Sequence, residues 1–76
     1  MNEPTKSKKS FPAVTTVEIN GRTIRPYSFR NIHVAARFAG HATKALWVML
    51  GEAGWDWVAT PAECELLARA GYEYAR

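Results

Sequence analysis

Seventy-six residues with a net charge of +3, one cysteine and nine aromatic side chains are enough for one small domain. A lone cysteine excludes an internal disulfide staple, and the longest apolar run, Ala45 to Leu50, is far short of the roughly 18 residues of a membrane-spanning helix. With no apolar leader either, the composition points to a soluble protein of the cytoplasm, its fold carried by packing of three Trp, three Tyr and three Phe.

The first ten residues carry Lys6, Lys8 and Lys9 and no aliphatic side chain beyond Met1. Such a segment buries too little apolar area to offset its ordering entropy, so a disordered basic tail is expected over 1–10 and a folded α+β domain over 11–76. The remaining charge is uneven. Between Ile19 and Gly51 stand Arg22, Arg25, Arg30, Arg37 and Lys44 with no acid, and His33 and His41 share the stretch. From Glu52 onward five acids face two arginines. A basic half and an acidic half point weakly to an anionic partner.

Val14 to Tyr27 reads as a hairpin. Asn20-Gly21 suits a two-residue type I′ turn, which needs positive φ at both central positions. Folding about it pairs Ile19 with Arg22, Glu18 with Thr23 and Val17 with Ile24, with Val17, Ile19 and Ile24 on one face. Pro26 marks a strand end or an edge, because it has no N–H to donate. Ser28 is then a candidate N-cap for a helix reaching Ala39, with Gly40 as its C′ residue. On that helix Arg30, His33 and Arg37 make one polar stripe and apolar residues cover the rest, so it should be largely buried.

Ala45 to Leu50 and Trp55 to Thr60 read as a second hairpin across Gly51-Glu52-Ala53-Gly54. Pairing Leu50 with Trp55 gathers Leu46, Val48, Leu50, Trp55, Trp57 and Ala59 on one face and Trp47, Met49, Asp56 and Val58 on the other. The first strand is apolar on both faces, as a central or an interface strand is. Thr60-Pro61-Ala62-Glu63 is a capping box with Pro at the first helical position. Its helix runs to Ala70, with Gly71 as C′, a Glu65–Arg69 pair outside, and Cys64, Leu67 and Ala68 inside. The expected architecture is ββα–ββα: a four-stranded antiparallel sheet with both helices on one face.

The stretch Val17 to Phe38, VEINGRTIRPYSFRNIHVAARF, resembles the start of some small phage tail-assembly proteins, in which an N-G or D-G hairpin leads through R-P into a helix. The resemblance covers about a third of the chain, implies a phage or mobile-element accessory protein, and assigns no residue a role.

No catalytic constellation, cofactor motif or metal-ligand spacing is visible. Cys64 lies inward beside Glu63 and Glu65, and both burial and negative neighbours keep a thiol protonated. His33 and His41 are eight apart and match no zinc pattern. Glycines 51 and 54 sit in a hairpin, not in a phosphate loop. Two surfaces stay in view. The second hairpin carries more indole than a small domain hides, so Trp47, Met49 and Val58 are candidates for binding another protein or a second copy. Arg22, Arg25, Arg30, His33, Arg37 and Lys44 are candidates for an anion or nucleic-acid surface. The leading expectation is a non-enzymatic adaptor or inhibitor without metal or cofactor; the alternative is a polyanion-binding protein.

Overall fold

A computed structural model describes residues 13–75. The basic segment 1–10 lies outside the described residues. Seven strands and two helices follow in the order β1 (Ala13–Val14), β2 (Val17–Ile19), β3 (Arg22–Ile24), β4 (Tyr27–Phe29), α1 (Ile32–His41), β5 (Trp47–Leu50), β6 (Asp56–Ala59), α2 (Pro61–Arg69) and β7 (Glu73–Tyr74). The class is α+β, as composition and periodicity predict. The sheet is not four-stranded. Five antiparallel strands run β1-β4-β6-β5-β7, and β2-β3 stand apart as a two-stranded ribbon.

The ribbon has the expected register, with Val17 opposite Ile24, Glu18 opposite Thr23 and Ile19 opposite Arg22. Asn20 and Gly21 both take positive φ, 51° and 82°, as a type I′ turn requires. Ile19 and Ile24 are buried; Glu18 and Arg22 point outward.

Helix α1 begins three residues later than its sequence suggests. Ser28 belongs to β4, opposite Trp57, and its hydroxyl donates to Thr15 Oγ1 at 2.7 Å. The N-cap is Asn31, whose Oδ1 accepts the His33 and Val34 amides at 2.8 and 3.2 Å. Tyr-Ser-Phe has the period of two that a strand needs, with both rings on the face that α1 covers, and that burial outweighs the capping preference of Ser28. Phe38 of α1 packs between them, 4.9 Å from the Tyr27 ring and 5.2 Å from Phe29. Gly40 lies inside the helix, not after it. Only Ala35 is fully buried, while Val34 and Ala36 are exposed, so α1 is a one-faced surface helix, not a largely buried one.

The second hairpin is slipped by one residue from the expected pairing. Leu50 faces Asp56, Met49 faces Trp57, Val48 faces Val58 and Trp47 faces Ala59. Ala53 and Gly54 carry the tight turn at φ 56° and 83°, closed by the Trp55 amide on the Glu52 carbonyl at 3.0 Å. The Gly51 amide then bonds the Trp55 carbonyl at 2.8 Å, extending the ladder by one pair. Because side chains alternate, one step of slip exchanges the whole face of β6 relative to β5.

Two cores result, on opposite sides of the sheet. One holds Met49, Trp57 and Ala59 with Cys64 and Leu67 of α2 and Ile19 and Ile24 of the ribbon. The other holds Phe29 and Val58 with Ala35 of α1. Trp57 and Val58 are neighbours on β6 and face opposite ways. The helices therefore cover opposite faces, not the same face. The capping box of α2 forms as expected: Thr60 Oγ1 accepts the Glu63 amide, and the Glu63 carboxylate accepts the Thr60 amide at 3.1 Å. Arg69 and Glu65 pair at 3.0 Å on its outside.

Candidate interaction edge

The sheet ends at β7, which pairs with β5 alone: Met49 faces Tyr74 and Leu50 faces Glu73. The Ala75 amide donates to the Val48 carbonyl at 3.0 Å. In an antiparallel ladder the inward-turned residues alternate, so Glu73 and Ala75 turn their backbone toward β5 and Tyr74 turns its own N–H and C=O to the outer edge.

The α2 side of this edge is apolar, and on the α1 side Leu50 stands beside the exposed Glu73. Trp47 and Tyr74 lie on the α2 side, edge to face with ring centroids 5.7 Å apart. They remain 47% and 41% exposed. Leu50 projects from the α1 side and is 44% exposed. An aromatic pair already in contact presents a large apolar area at low conformational cost.

The supports of this edge are buried. Met49, between Trp47 and Leu50, is fully buried. Cys64 lies beneath the start of β5, its thiol donating toward the Ala59 carbonyl at 3.6 Å, with the Trp47 carbonyl 3.9 Å away. Burial first and the Glu63 carboxylate second push this thiol up to about 11, the position of an inert packing group. The approach to β7 is tied down by Tyr72, whose ring lies 5.0 Å from that of Trp57 and whose hydroxyl donates to the Glu52 carboxylate. That bond holds the Tyr72 proton on, raising the phenol above its usual range.

Of the three residues the sequence nominates for protein binding, Trp47 alone reaches the surface. Met49 and Val58 are fully buried, in opposite cores, because the slipped register separates them. Leu50 and Tyr74 take their place. Tyr74 gives little sequence signal, since a strand of two residues shows no periodicity.

The six basic candidates are all exposed, and the expected stripe of Arg30, His33 and Arg37 on one helix loses Arg30, because the helix starts after Asn31. Arg30 precedes α1, and its guanidinium stacks 4.3 Å over the Trp55 ring, which packs on the α2-side core. His33 and Arg37 are on α1, on the other side of the sheet. Arg22 is on the ribbon, Arg25 follows it directly, and Lys44 is in the loop before β5. Among the described residues no three His, Cys, Asp or Glu side chains gather to hold a metal ion, and no helix is long and apolar enough to cross a membrane. Compared with protein-family models, curated proteins and solved structures, the chain matches none.

Proposed function

We propose that this chain is a non-enzymatic protein-binding module, an adaptor or inhibitor, that receives its partner along the β5-β7 edge. One observation carries the reading. The large hydrophobic side chains left exposed among the described residues are Val14, Val34, Trp47, Leu50 and Tyr74; the last three lie on two adjacent strands, Trp47 and Tyr74 in ring contact on the α2 side and Leu50 on the α1 side. Scattered exposed hydrophobes need no explanation, but a cluster bordering an open backbone edge suits strand addition, in which main-chain bonds supply affinity and flanking side chains supply specificity.

The test is affinity capture from the native host with wild-type protein and a Trp47→Ala variant, compared quantitatively. An indole at the centre of an interface contributes about 2 kcal/mol or more. A partner held by the wild type should therefore fall about 30-fold on removal of Trp47. If everything captured is retained equally by Trp47→Ala, the reading is wrong.

A further inference from the structure

We infer that the partner at this edge is a second copy of the chain, joined β7 to β7 about a two-fold axis at Tyr74. The inference rests on the interaction edge proposed above and names its occupant.

The first argument is the outward backbone of β7. A two-residue strand turns outward one N–H and one C=O, those of Tyr74. One donor and one acceptor on one residue are self-complementary. Across a two-fold axis each Tyr74 amide meets the carbonyl of the other Tyr74, and both bonds of an antiparallel pair form at once.

The second argument is the side chains. The two tyrosines become a directly opposed cross-strand pair on the α2 side, where aromatic pairs are favourable. Each already touches its own Trp47 at 5.7 Å. The row Trp47–Tyr74–Tyr74–Trp47 then runs unbroken across the junction of a continuous ten-stranded sheet. Glu73 falls opposite Ala75 of the other copy, so no like charges oppose one another. On the α1 side Leu50 flanks Glu73, one strand in from the junction.

The contact is small. A stable interface buries about 1,200–2,000 Å². Three side chains from each copy and two backbone bonds across the junction fall short of that, so the pair is reversible and forms by mass action.

Sedimentation equilibrium of the full chain between about 10 µM and about 1 mM tests this. The apparent mass should rise from 8.5 kDa toward twice that value. Tyr74→Pro removes the outward amide together with the ring that packs on Trp47, and leaves the inward bonds of Glu73 and Ala75 to β5, so it should stay at the monomer mass with its helix content unchanged in circular dichroism. Should that variant unfold, Trp47→Ala serves instead and should weaken dimerisation at least tenfold. A monomer at every concentration overturns the inference, as does a dimer that both variants retain. Mass that grows past two copies points to head-to-tail pairing of β7 with β1 and overturns it too. If the chain is monomeric yet captures another protein through Trp47, the second copy alone is wrong; if neither is found, the interaction edge itself falls.

Discussion

Gly51 packs against the Trp57 indole with no room for a side chain. A Cβ on Gly51 would lie 2.5 Å from the Trp57 ring, and Trp57 is buried between Gly51 and the ring of Tyr72. Gly51→Ala must displace that ring or the hairpin. We expect a loss of about 1–3 kcal/mol, the usual cost of overpacking, measured as a lower urea midpoint. Cys64 gives a second prediction. Its thiol titrates near 11 instead of the ordinary 9, so the folded state keeps a proton that the unfolded state releases. This contribution to stability is intact below about pH 9 and declines as pH rises from there toward 11. In Cys64→Ala that part of the alkaline decline should be absent, and native Cys64 should react with a thiol reagent at a rate still climbing above pH 9.

Among the elements, the two helix starts make an instructive contrast. Thr60 and Glu63 satisfy each other's backbone amides within four residues. Thr60→Ala should cost about 1 kcal/mol. At α1 two cap-competent residues stand three apart, and only Asn31 caps. Asn31→Ala should therefore lower helix content in circular dichroism and cost about 1 kcal/mol in denaturation, whereas Ser28→Ala should leave helix content unchanged, since the Ser28 hydroxyl bonds Thr15 instead. The reverse result would restore the helix start that the sequence suggests.

For the whole molecule, the three tryptophans occupy three different environments. Trp57 is buried, Trp55 is half-buried beneath Arg30, and Trp47 is exposed at the edge of the sheet. Acrylamide quenching of dilute protein should act mainly on Trp47, and Trp47→Phe should remove most of the quenchable emission. The same variant should barely change stability, because the side chain leaves a surface and no core. The fold sets these environments through its layers: with a helix on each side, the sheet hides Met49 and Val58 in opposite cores and leaves β7 as the open flank.

What could be read without coordinates was local. The Asn20-Gly21 ribbon with its register, the Thr60–Glu63 box and the Glu65–Arg69 pair each involve residues within a few positions of one another, so nearby chemistry determines them wherever the rest of the chain lies. The candidate site was legible only in Trp47. The tertiary structure decided the assignment of Ser28 to a strand, the one-residue slip that parts Met49 from Val58, the placement of the helices on opposite faces, and the pairing of Tyr74 beside β5. Each of these turns on which face of a strand is buried against a distant element, and local propensity, weaker than that burial, does not encode it.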